Sequence, residues 1–220
     1  MTSFSTVPVL CVLALLTTPS RAAGVVIDRV TLKAADGGEV PAEVARPTGP
    51  GPFPPLLFIH AKRGYEGDER AHVRELAEQG FLVVAPDWQS GRFIERWPSS
   101  HTPETELDVE AGLDYLKTLP QACRIPVGVV GLSRGPYYAV RLAARRGADL
   151  AAIVAYYGHM QNPNAPEPDQ LFRVAPEIAT LTTPMLHLIG DADYELRRMS
   201  VGRAFYALWE RGVPVELQMY

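Results

Sequence analysis

The chain has 220 residues, 47% hydrophobic and 21% charged, the balance of one globular domain with a sizeable core. Its net charge of −4 comes with no basic cluster, which argues against a nucleic-acid partner. No His, Cys, Asp and Glu set has metal-ligand spacing, and Gly128, Gly131 and Gly135 are not spaced as a dinucleotide fingerprint, so no metal or other cofactor is expected.

In chain order, residues 7–16 form an apolar run too short to span a bilayer, and Ser20-Arg21-Ala22 has small residues at the outer positions of a cleavage site. Residues 1–22 are therefore expected to be an export signal, leaving one domain over 23–220 that is secreted or periplasmic and has no membrane partner. Cys11 leaves with the signal, and Cys123 becomes a lone, buried or half-buried thiol. Runs 25–33 and 39–45 read as strands joined through Asp36-Gly37-Gly38, a hairpin signal. A Pro/Gly loop (47–55) follows, then a wholly apolar strand (56–60), a helix (69–79) stopped by Gly80, and a buried strand (81–85). Residues 90–101 are irregular. Thr102-Pro103-Glu104 reads as a helix start, with a capping threonine, a proline where the N–H is spare, and an acid near the positive end. Helical spacing of Val109, Leu113 and Leu116 carries that helix to Leu119. A strand (127–131), a helix (137–146), a strand (150–157), a proline-rich loop (162–169), a strand (184–189), a helix (196–211) and a last strand (213–220) complete the chain.

Apolar strands alternating with amphipathic helices predict an α/β fold: a mostly parallel sheet, helices on both faces, and an antiparallel hairpin at the N-terminal edge. Function collects at the C-terminal ends of the strands in such sheets. His60, Asp87, Ser133, Tyr157 and Asp193 all fall at or just beyond strand ends. Among them, Ser133 sits in Gly131-Leu132-Ser133-Arg134-Gly135, between a strand and a helix. A serine in that turn, flanked by glycines two positions away, is a nucleophile elbow. The turn is tight enough to push the hydroxyl outward, and side chains at the glycine positions would collide. The following helix aims its N–H groups and positive end at the place where an oxyanion forms.

Leu57-Phe58-Ile59-His60 with Gly64, Val83 to Asp87, the Gly131 to Gly135 elbow, Gly190-Asp191-Ala192-Asp193 and the stretch 207–220 together resemble an α/β-hydrolase, and more narrowly the dienelactone hydrolase family and prolyl oligopeptidase-type catalytic domains. The resemblance runs from about residue 25 to the end. It implies Ser133 as nucleophile, Asp193 as the acid that orients a catalytic histidine, with Asp191 as competitor, and the backbone N–H groups of Arg134 and Lys62 as the oxyanion hole. Dienelactone hydrolases proper carry cysteine at the nucleophile and an acid after the first parallel strand. Here those positions are Ser133 and Ala61, a departure that argues against dienelactone itself as the substrate.

The order on this fold is Ser, Asp, then His. Of the five histidines (His60, His72, His101, His159 and His187) none follows Asp193. A chain cut short after its last strand is therefore expected. His159, after Tyr156-Tyr157-Gly158, is the candidate surrogate base. His60 is a possible pocket residue with structural hydrogen bonding as its plainer role, His187 reads as core, His72 as helix surface and His101 as loop. Arg63 and Arg92 are candidates to bind a substrate carboxylate, with solvated surface arginines the plainer reading. The loops 90–101 and 162–169 are expected to frame the pocket. The resulting expectation is a serine hydrolase cleaving a small carboxylic ester or lactone through an acyl-serine. A prolyl oligopeptidase-type peptidase and a non-catalytic binding protein on the same fold are the alternatives.

Overall fold

The computed structural model describes residues 24–161, 163–165 and 174–220. The expected signal (1–22) and much of the 162–169 loop lie outside them. An eight-stranded sheet runs in the order β1-β2-β4-β3-β5-β6-β7-β8. Strands β1 (Val25–Lys33) and β2 (Glu39–Pro47) form the predicted hairpin, in register from Val25 opposite Pro47 to Lys33 opposite Glu39. Its turn closes because Asp36 accepts the Gly38 N–H at 3.0 Å. The hairpin joins β4 (Leu82–Pro86) antiparallel, and from there β3 (Pro55–Ile59), β5 (Val127–Leu132), β6 (Leu150–Tyr156), β7 (Met185–Ile189) and β8 (Val215–Met219) are parallel.

Every residue of β3 and β4 is buried, as expected for strands covered on both faces. Period-two alternation splits them between two cores. Leu57, Ile59, Leu82 and Val84 pack with side chains from α2 (Thr105–Thr118), α3 (Gly135–Arg146) and α4 (Glu195–Glu210). Leu56, Phe58, Val83 and Ala85 pack on the other face with Val73 and Ala77 of α1 (Gly67–Glu78). Truncating a fully buried leucine such as Leu57 in such a core costs about 2–5 kcal/mol.

The start of α2 differs from the sequence reading. Thr102 does not cap it; residues 102–104 wind as a turn, and Thr105 Oγ1 donates to the Thr102 carbonyl at 2.5 Å. Here the hydroxyl that finds a partner belongs to Thr105, which also meets Tyr138 Oη at 2.6 Å in the core. Cys123 is buried.

Candidate active site

The site grows from the end of β5. Ser133 follows the strand with φ = 53°, a left-handed conformation that costs a non-glycine residue roughly 1–2 kcal/mol. The turn is held by two backbone bonds to the end of β6: Ser133 N–H donates to the Tyr156 carbonyl (3.0 Å), and His159 N–H donates to the Ser133 carbonyl (2.9 Å). A Cβ on Gly131 would lie 2.6 Å from the Pro136 nitrogen, and one on Gly135 would lie 2.2 Å from the Ile59 carbonyl oxygen on β3. Both glycines are therefore demanded by space.

The N–H groups of Lys62, in the turn after β3, and Arg134, at the start of α3, have no protein acceptor among the described residues. They are the two backbone donors the sequence assigned to the oxyanion hole. The α3 terminus adds its positive dipole end beside Arg134.

Asp193 and Asp191 separate clearly. Asp191 is exposed, and its N–H donates to the Tyr220 carbonyl at 2.7 Å, tying the turn to the end of β8. The Asp193 carboxylate is largely covered, accepting from Tyr194 N–H (2.7 Å) and from Arg197 Nη1 (2.9 and 3.0 Å). Its partner is thus a guanidinium one helical turn on, where the resemblance implies an imidazole. The Asp-x-x-x-Arg spacing was visible in the sequence as an i,i+4 pair at a helix start.

Arg197 links Asp193 to His159, placing Nη2 3.4 Å from the imidazole Nε2. Burial pushes the His159 pKa down to about 4, and the charges of Arg197, Arg134 and Lys62 push the same way against a hydrogen bond to Gln161. His159 is accordingly a neutral imidazole at ordinary pH and a weak base. Burial also lowers the Lys62 pKa, reinforced by Arg134 and Arg197. Lys62, Arg134 and Arg197 thus lie near enough to feel one another's charge, with Arg197 paired to Asp193.

Arg134 carries a candidate site side chain that the sequence reading left out, having assigned a role to its backbone only. It is 5% exposed, its side chain reaches the Ser100 carbonyl at 3.4 Å, and no carboxylate pairs with it among the described residues. The two arginines proposed from sequence are engaged elsewhere. Arg92 meets Asp108 Oδ1 at 2.6 Å and Asp36 Oδ2 at 2.7 Å, and Arg63 donates to Glu69 at 2.7 Å and lies 3.0 Å from Asp68. Their donors are consumed in clamping loops, which corrects their assignment to the pocket. His60 is likewise engaged inside the body of the protein. It is fully buried, stacked on Trp88 at 4.8 Å, with Nδ1 2.8 Å from the Ala61 carbonyl. His101, read as a loop residue, is buried with Nε2 2.8 Å from Glu106. His72 packs its ring on Phe58 and Tyr156, and His187 is a core residue of β7 as expected.

A protein of Methylorubrum extorquens described as a carboxymethylenebutenolidase is 27% identical over 217 residues, covering 93% of this chain and 73% of that one. Dipeptidyl-peptidase 5 of Porphyromonas gingivalis is 24% identical over 181 residues, but this chain spans only 26% of its length and matches over 69% of its own. A crystal structure described as a dienelactone hydrolase from Klebsiella pneumoniae superposes with a TM-score of 0.72 at 21% identity, over 90% of this chain and 85% of that one, and so shares the fold. The model of the dienelactone hydrolase family matches residues 40–220, from the second hairpin strand through the elbow and the Asp193 turn. The chain belongs to the dienelactone hydrolase family, and it is a hydrolase of ester or lactone type.

Proposed function

We propose that the chain is a serine hydrolase that cleaves a small ester or lactone bearing an anionic group, through an acyl-serine. The observation that carries the reading is Ser133 itself: a strained serine between two sterically required glycines, with two unengaged backbone N–H groups beside it. Ser133 Oγ attacks the substrate carbonyl carbon and loses its proton to a base. The carbonyl oxygen gains the negative charge and is met by the Arg134 and Lys62 N–H groups. The C–O bond to the leaving alcohol then breaks, and water releases the acyl group by the reverse sequence.

The anionic group follows from the cations. A buried guanidinium without a carboxylate is costly in an empty site, and an anion on the substrate offsets that cost where Arg134, Lys62 and Arg197 converge. The name of the Methylorubrum relative, a carboxymethylenebutenolidase, points to the same kind of substrate. Asp193, the covered carboxylate, is the acid of the site. The reading also includes export through residues 1–22, which N-terminal sequencing of secreted protein checks by a start at Ala23 or Gly24.

The test is steady-state hydrolysis of two p-nitrophenyl esters, one neutral and one with a distal carboxylate. Turnover that vanishes in Ser133→Ala and a higher kcat/KM for the anionic ester support the reading. Turnover retained by Ser133→Ala overturns the serine mechanism, and a preference for the neutral ester overturns the substrate class. His159→Gln in the same assay assigns the base: lost turnover places it at His159, retained turnover places it elsewhere.

A further inference from the structure

The Lys62 amide is gripped on both sides. An oxyanion donor works only if its N–H is aimed before substrate arrives, because a misplacement of about 1 Å costs on the order of 10²-fold in rate. The peptide unit that carries this N–H has Ala61 O at its other end. That oxygen accepts from Gly64 N–H at 3.2 Å and lies 2.8 Å from His60 Nδ1. A carbonyl only accepts, so Nδ1 carries the proton. The next peptide unit presents Lys62 O, which accepts from Trp97 N–H at 2.9 Å and from Gln89 Nε2 at 2.9 Å. Four donors thus fix the two carbonyls that flank Lys62.

Of these donors, the Gln89 side chain reaches over from the loop after β4, 27 positions along the chain, and is built for the task. It is 3% exposed, and its amide nitrogen also reaches the Glu95 carbonyl at 3.4 Å. Its backbone carbonyl accepts from Arg92 N–H (3.1 Å) and Ile94 N–H (3.0 Å), and its backbone N–H donates to Asp87 at 3.3 Å. The Asp87 carboxylate is held in turn by Ser90 N–H (3.0 Å) and Ser90 Oγ (2.6 Å). Gln89 therefore has a fixed backbone and a side chain that spans from the loop after β4 to the loop after β3. The loop it roots is strained, with Phe93 at φ = 55° and Trp97 at φ = 60°, and it leaves the Trp97 ring exposed, 5.8 Å from Lys62 Nζ. Strain at non-glycine residues persists where surrounding bonds over-determine it.

We propose that Gln89 is a positioning residue for the Lys62 oxyanion donor, holding the Lys62 carbonyl from one side while His60 holds the Ala61 carbonyl from the other, and joining the 90–97 loop to the oxyanion hole through a shared acceptor. The inference rests on Ser133 and the Lys62 N–H serving as proposed above. A substrate that presses on Trp97 then acts on the donor as well, so Gln89 governs turnover more than binding.

The experiment compares wild type with Gln89→Leu, which keeps size and removes the donor, Gln89→Asn, which keeps a donor on a shorter arm, and Gln89→Glu, which sets a carboxylate against a carbonyl. Arg74→Ala, at an exposed position on α1, serves as a control away from this network. Each protein is assayed for ester hydrolysis and for inhibition by an aryl boronic acid, which forms a tetrahedral adduct on the serine. The expected result is a kcat about 10–100-fold lower in Gln89→Leu with KM within about twofold, boronate inhibition weakened in parallel, Gln89→Asn between Leu and wild type, and Arg74→Ala near wild type. If Gln89→Leu does not fold, the Asn and Glu variants decide: a kcat higher in Asn than in Glu is expected, and equal values overturn the proposal. A loss confined to KM, or a kcat in Gln89→Leu within twofold of wild type, also overturns it while leaving the serine mechanism standing. A wild type that neither hydrolyses esters nor binds the boronate removes the proposed function and this inference together.

Discussion

Arg92 and Arg134 are both arginines drawn into the body of the protein, and they are treated in opposite ways. Arg92 is saturated: it reaches Asp108 and Asp36 together and ties the hairpin turn to α2 and to the loop after β4. Arg134 is more deeply covered yet meets only a backbone carbonyl at 3.4 Å. The difference tracks position. Arg92 lies where loops are stapled together. Arg134 follows the serine at the C-terminal end of a parallel strand, where this fold places its chemistry. A third case, His187, guards against reading every unpaired polar group as functional: both ring nitrogens are buried without a partner, yet it sits in mid-strand in β7. Function is indicated by an unpaired group at a strand end, not by lack of a partner alone.

The largest effect expected from this contrast is at Asp193, which anchors the Arg197 side of the cationic group. Asp193→Asn should lower kcat for ester hydrolysis by up to ~10⁴, the scale seen when a catalytic acid is neutralised, while Asp191→Asn should change it little. The reverse ranking would transfer the acid's role to Asp191. Arg92→Met should leave Asp108 buried and unpaired and reduce unfolding free energy by about 3–5 kcal/mol, with no preference between anionic and neutral esters. Denaturant melts together with the two-ester assay check this, and a selective loss on the anionic ester would return Arg92 to the pocket.

His187 sharpens the contrast through pH. Burial holds its pKa at about 4, against 6.5 when unfolded. The unfolded chain therefore takes a proton that the folded chain refuses. The associated stability is fully present above about pH 6.5 and is lost as pH falls toward 4, by roughly 3 kcal/mol. His187→Leu should flatten that part of the stability profile, measured by melts at stepped pH. An unchanged slope would locate the acid sensitivity in other groups, with His159, shifted in the same direction, the first to examine. The smallest effect belongs to Arg134→Met, which keeps the backbone donor and removes the cation. It should reduce kcat/KM for an anionic ester about 10–100-fold and leave a neutral ester nearly unchanged. Equal losses on both esters would mean that Arg134 supports the elbow and does not read the substrate.

Much of the fold was legible because its signals are local. Apolar runs marked β3, β4 and β5, the Asp36-Gly37-Gly38 turn marked the hairpin, and the glycine spacing around Ser133 reflected two collisions that the structure shows directly. What escaped depends on long-range contacts. Nothing near Arg134 in sequence announces that its side chain meets the carbonyl of Ser100, 34 positions upstream. Nothing near Arg92 announces Asp36, 56 positions away. Gln89 is one of many polar loop residues until its amide is seen on the Lys62 carbonyl, 27 positions upstream. The Thr102 cap failed for a related reason: Thr105 had the core partner and the turn geometry settled around it.

The central claim is that Ser133 is the nucleophile, and covalent capture tests it most directly. The protein is treated with a fluorophosphonate probe, digested, and the adduct located by mass spectrometry, with Ser133→Ala alongside. The account predicts a single adduct on the peptide containing Ser133, and none in the variant. An adduct that persists in Ser133→Ala, or that maps to another residue in wild type, would contradict it.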